Sequence, residues 1–111
     1  MADVPSEVRL GPHTVTVRSD PDTVGLLRED GRRADTLPNV LTIRIDPDRP
    51  PTAVAESLLH EILHACWDLT SLRTSEQCAE IEEAAVSALS PWLLGVLRDN
   101  PDLVKLLTKG A

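Results

Sequence analysis

The sequence predicts an α+β fold, a small antiparallel sheet of about three strands followed by three or four helices. Three observations predict it. The first fifty residues carry short β-branched runs broken by proline and glycine pairs. From Thr52 the apolar spacing becomes helical. The 111 residues, 41% apolar and 26% charged, supply one modest core, so a single domain spans 1–111.

Residues 13–18 (HTVTVR) alternate β-branched side chains and read as a strand, which Pro21 and Asp22 end. Residues 24–27 read as a second strand, with Asp30-Gly31 as a turn dipeptide and a return arm of poor strand propensity at 32–35. Residues 40–45 are the clearest strand, and the proline-rich run 46–51 breaks the chain after it. Thr52 is the expected N-cap of a helix running to about Leu69. Residues 74–77 (TSEQ) match a capping box, so the next helix starts near Ser75, and Ser90-Pro91 kinks or restarts it. Asn100 and Pro101 cap and open a last short helix over 102–109.

Charge and composition narrow the function. Eighteen acidic residues against eleven basic ones leave a net charge of −7, a field that repels phosphate backbones and anionic membranes. With no Tyr, no Phe and only Trp67 and Trp92, platforms for stacking bases are nearly lacking. Neither nucleic acid nor a membrane is the expected partner. No apolar run approaches the roughly 20 residues of a membrane span, and the first residues lack the features of a signal peptide, so the expected compartment is cytoplasmic. Cys66 and Cys78 fit that compartment as reduced thiols, more readily buried apolar side chains than ligands. Trp67 and Trp92 read as core or cleft-wall packing.

One motif carries chemistry. Residues 60–64 read His-Glu-Ile-Leu-His, an H-E-x-x-H pattern within the expected helix. Two histidines four apart lie on one helical face, so both imidazoles can converge on one cation, and zinc suits them. Glu61 reaches the same place from the flank, where it accepts a proton from a water on the metal as a general base and is not a ligand. Leu58, Ile62, Ala65 and Leu69 form a separate core arc, leaving the histidines on a flank shared with Ala53, Ser57 and Trp67. Asp68, four residues after His64, is a candidate to orient that ring, and a solvated Asp is an equal reading. A third ligand is expected from the next helix, which offers Glu80, Glu82 and Glu83.

Residues 58–65 (LLHEILHA), 82–89 (EEAAVSAL) and 97–101 (LRDNP), with the strand 41–46 (LTIRID), resemble the small gluzincin-like proteins of phages and prophages. The likeness covers roughly 40–107. It implies a minimal zincin fold, a three-stranded sheet with the motif helix and a second helix supplying a Glu ligand. That plan is similar to the metal core of ImmA/IrrE-type peptidases and, more distantly, thermolysin; for a phage-encoded chain the compartment is the host cytoplasm. The chain departs from better-known zincins in having no Tyr to steady an oxyanion. His13 lies on the first strand, and no motif places an Arg for that task.

A helical wheel chooses among the three carboxylates. With Cys78 at zero and 100° per residue, Ile81, Ala85, Val86, Leu89, Trp92, Leu93 and Val96 centre an apolar arc near 0°. Glu82 falls at about 40°, inside it; Glu83 at about 140° and Glu80 at about 200° fall outside. A lone buried carboxylate needs a cation, so Glu82 is the expected ligand; escape to solvent, or pairing with an Arg such as Arg44, are the other readings. The expected function is a zinc-dependent metallopeptidase-like protein, with zinc on His60, His64 and Glu82, Glu61 as base, and a peptide or protein substrate. The alternative is a non-catalytic, zinc-stabilised binding module of a phage or prophage. A metal-free regulatory partner leaves the motif unexplained.

Overall fold

The computed structural model describes residues 4–10, 12–69, 76–99, 101, 104 and 108, with the side chains of 76–79, 92 and 96 outside the description. The order is β1 (Glu7–Leu10), β2 (His13–Arg18), α1 (Pro21–Glu29), β3 (Ala34–Leu37), a 3-10 turn (Pro38–Val40), β4 (Thr42–Ile45), α2 (Pro51–Asp68) and α3 (Glu76–Asp99). The α+β class is as expected. The expected capping-box pair Thr74 and Ser75, and most of 102–109, lie outside the described residues, although 101, 104 and 108 are helical. No described helix is long and apolar enough to cross a membrane.

The sheet has four strands in the order β1-β2-β4-β3 and is mixed, since β2 and β4 run parallel. Its outer pairs, β1 with β2 and β3 with β4, are antiparallel. A parallel pair needs a long crossover, and the stretch read as a second strand supplies it as helix α1. Asp20 caps that helix, its carboxylate accepting from Thr23 N–H at 3.2 Å and Thr23 Oγ1 at 2.7 Å. Pro21 stands at the first helical position, Asp22 in the first turn and Arg28 in the last, all suited to a helix. Leu27, fully buried, anchors it.

Val15 and Val17 of β2 and Ile43 and Ile45 of β4 point to one face, where they meet Val54, Leu58 and Ile62 of α2. Leu58, Ile62 and Ala65 of the expected arc pack as read, whereas Leu69 is 38% exposed. Helix α2 starts at Pro51 after Pro50, one residue before the expected N-cap Thr52, with no side-chain cap. Strand β4 starts at Thr42, because Leu41 turns the chain at a left-handed φ of 46°. Helix α3 runs through Pro91 without ending. Buried Ser90 donates its hydroxyl to the Val86 carbonyl at 2.6 Å, adding a bond beside the turn that proline weakens.

Candidate metal centre

Helix α2 brings His60 and His64 onto one face, with Nε2 atoms 3.2 Å apart and ring centroids 4.9 Å apart in an edge-on arrangement. Helix α3 packs alongside and presents two carboxylates. Glu83 faces both Nε2 atoms, Oε1 at 3.3 Å from His60 and Oε2 at 2.7 Å from His64. Glu82 meets His64 from the other side, at Nδ1. The donor atoms of His60, His64 and Glu83 all lie within 4.8 Å of one another.

The spacing fits a small cation. Ligands about 2.0–2.1 Å from a tetrahedral zinc stand roughly 3.3 Å apart, the edge of that tetrahedron. The His–His and His60–Glu83 separations, 3.2 and 3.3 Å, match it. The His64–Glu83 contact, at 2.7 Å, is shorter than that edge. The group can hold a metal ion, and the imidazole, imidazole, carboxylate set is one zinc accepts.

Glu82 therefore takes a different place from the expected one: it lies against His64 Nδ1 and outside the mutually close group, which contains Glu83. The cause is the rotation of α3. Among the described side chains of this stretch, Glu82 and Ala85 are half-buried and Val86 and Ser90 buried, whereas Ile81, Leu89 and Leu93 of the expected apolar arc are 56%, 58% and 39% exposed. The stripe centres near Val86, about 80° on the wheel, so α3 is turned by nearly one residue and Glu82 and Glu83 flank the seam on either side. Arg44, considered as a partner for Glu82, pairs instead with Asp35, its neighbour across β3 and β4.

Glu61 is buried between two clefts. One, of about 380 Å³, is lined by Arg33, Arg49, Ala53, Ser57, His60 and Glu61 among others. The other, of about 260 Å³, is lined by Thr36, Glu61, His64, Asp68 and Glu82 among others. Thr36 Oγ1 lies 2.8 Å from Glu61 Oε1 and 3.2 Å from the Glu61 carbonyl, a hydroxyl shared between two acceptors. Register explains the contact: Thr36 stands opposite Ile43 and so faces α2 with it. Nothing in the sequence marks Thr36, which lies just past the stretch 32–35 read as a weak return arm and carries no motif.

Electrostatics follow from this packing. Burial raises the Glu61 carboxyl above its ordinary value, against the lowering effect of the Thr36 hydrogen bond and the two histidines. For His64, burial acts downward but is outweighed by the Glu82 hydrogen bond and the charges of Glu61, Glu83 and Glu82, so its pKa rises. A carboxylate only accepts, so the Glu82 contact needs a proton on Nδ1. Burial acts upward on Glu83 and is outweighed by a 2.9 Å hydrogen bond from Ser87 and by the histidines, leaving it lowered. Ser87, one turn along α3, is a second holding group that no motif announces.

The other expected residues fall as follows. Cys66 is exposed rather than buried, because the core side of α2 is taken by Leu58, Ile62 and Ala65. The side chains of Cys78 and Trp92 lie outside the described residues. Trp67 and Asp68 are half-buried at the end of α2, and His13 is exposed at the start of β2. Comparison with family models, curated proteins and solved structures finds no match.

Proposed function

We propose that the chain is a zinc-dependent, metallopeptidase-like hydrolase, with His60, His64 and Glu83 as the metal's protein ligands and Glu61 as the general base. One observation carries the reading: the donor atoms of His60, His64 and Glu83 lie mutually close, two of their separations at tetrahedral-edge length, beside a buried carboxylate with a raised pKa. Bound there, zinc would polarise a carbonyl and bring the pKa of a water down toward neutrality. Glu61 would serve as the proton acceptor beside the ion and return that proton to the amine that departs. Thr36 holds the Glu61 carboxylate, and Glu82 holds the Nδ1–H of His64, which would leave Nε2 for the metal. Strand β3 ends the sheet next to α2, so an extended peptide adds to its open edge. The likeness to phage gluzincin-like proteins supports the same reading.

A second reading, a non-catalytic zinc module, is favoured by one contact, the Thr36 hydrogen bond that already engages Glu61. One set of measurements separates them. Tag-free protein is expected to carry about one zinc per chain, and chelation to lower its melting temperature. Glu61→Gln keeps the zinc and abolishes hydrolysis of a peptide mixture, whereas His60→Ala loses the zinc. Protein without zinc, whose melting point zinc leaves unmoved, refutes the metal centre. Full activity in Glu61→Gln refutes the mechanism, and a zinc-loaded wild type that cleaves nothing leaves the binding module.

A further inference from the structure

The arginines around the sheet divide into two sets. Arg18, Arg28, Arg32 and Arg44 each form an ion pair with an aspartate. Arg33 and Arg49 form none among the described residues, yet both line the cleft that contains His60 and Glu61. Arg49 lines this cleft with its Nε donating to the Asp46 carbonyl at 3.3 Å. Its Nη2 is shielded from solvent and has no hydrogen-bond partner. Burial and the Arg33 charge, against the opposing charge of Asp46, hold its pKa below the ordinary value.

An orphaned buried donor next to a like charge is unfavourable unless something relieves it. One anion relieves both. Glu56 lines the same cleft but pairs with neither arginine. Helix α2 begins immediately after Arg49 and Pro50, with no acidic residue in its first turn and no side-chain cap, so its positive end adds to the local field. The cleft also carries Glu56 and Glu61, so it is the two guanidinium groups, and not a net local charge, that suit it to an acidic ligand. Guanidinium forks match carboxylates in shape as well as charge.

We propose that Arg33 and Arg49 form the subsite that takes a carboxylate of the substrate, with the bond to be cleaved lying at His60 and Glu61. The inference rests on the metallopeptidase reading and adds the substrate class, a peptide carrying a carboxylate on an acidic side chain or at its free C-terminus.

The test uses zinc-loaded, tag-free protein and calorimetry. Two ligand series share a metal-chelating hydroxamate head: monohydroxamates of dicarboxylic acids with tails of increasing length, and the matching terminal amides. At one tail length the acid is expected to bind roughly tenfold tighter than its amide, or more. Arg33→Gln and Arg49→Gln erase that difference and leave the affinity of the amide as it was; Arg9→Gln, on β1, preserves it. Arg33 is exposed, so its variant reports even where Arg49→Gln fails to fold. Acid and amide of equal affinity at every length overturn the subsite while leaving the metal centre standing. If neither series binds, the metal centre fails and the subsite falls with it. Competition by short peptides with an internal Glu and amidated ends, against peptides with only a free C-terminus, identifies the source of the carboxylate; failure of both to compete also overturns the proposal.

Discussion

Glu83→Ala is expected to weaken zinc binding by about a thousandfold, and Glu82→Ala by far less. The two carboxylates sit on adjacent residues of α3 but address opposite nitrogens of His64. Glu83 faces the Nε2 atoms of both histidines, so in the proposed centre its oxygen would stand about 2 Å from the ion. Taking water's dielectric, the weakest case and the apt one for a side chain 64% exposed, a single negative charge at that distance from a double positive one contributes about 4 kcal/mol. That is about three powers of ten in affinity. Glu82 acts on the ligand, not the ion; removing such a partner typically costs 10–100-fold. Glu80 is exposed and outside the centre, so Glu80→Ala stays within about twofold of wild type. Competition against a chromophoric chelator, on tag-free protein at one pH, measures all three. Glu82→Gln retains an acceptor for Nδ1–H and keeps most of the affinity, whereas Glu83→Gln does not. Wild-type affinity in Glu83→Ala, or a larger loss in Glu82→Ala, refutes the assignment and turns α3 back to the register of the helical wheel.

Two further perturbations test the surroundings. Thr36→Val keeps the side-chain shape but removes the hydroxyl on Glu61; zinc content stays the same while stability falls by about 1–3 kcal/mol, read as a drop in melting temperature, and an unchanged melting point shows that Thr36 does not hold Glu61. Asp46 is buried against Arg28, and that hydrogen bond holds its carboxyl below the ordinary 3.8 despite desolvation. Its stabilising contribution is present above pH 3.8 and lost as pH falls through the lowered folded value, so acid denaturation curves are expected to flatten in that range for Asp46→Asn and not for Asp48→Asn, whose side chain is largely exposed.

The convergence of His60 and His64 was legible because it depends only on helical spacing within a helix the sequence marks well. The core was legible for the same local reason: Val15, Val17, Ile43 and Ile45 alternate in their strands and all reach one face. Helix α1 was not, because Val24 and Leu27 suit a strand or a short helix, and the deciding contacts are the Asp20 cap and the burial of Leu27. Strand β3 has little intrinsic preference for its conformation; pairing with β4 and packing against α2 hold it there. That misreading hid Thr36 as well as the mixed sheet. The choice between Glu82 and Glu83 turned on burying as many apolar residues of α3 as possible, but the seam with α2 admits only a narrow stripe, and Ile81, Leu89 and Leu93 stay outside it.

That narrow stripe ties the site to the fold. In the region next to the histidines, α3 meets α2 through Val86, Ser90 and the contacts of Glu82 and Glu83 with His60 and His64. Three carboxylates, Glu61, Glu82 and Glu83, surround two imidazoles. With both rings neutral the cluster carries three negative charges, and even with both protonated it stays negative. With both rings neutral, a dication on the Nε2 side would cut that imbalance from three negative charges to one while leaving the Nδ1 proton of His64 to Glu82. Zinc would then act on two levels at once, joining α2 to α3 where apolar packing is thin and setting the charge around Glu61. Chemistry and helix docking thus draw on the same four side chains, so variants that lose the metal are expected to lose part of the α2–α3 interface with it.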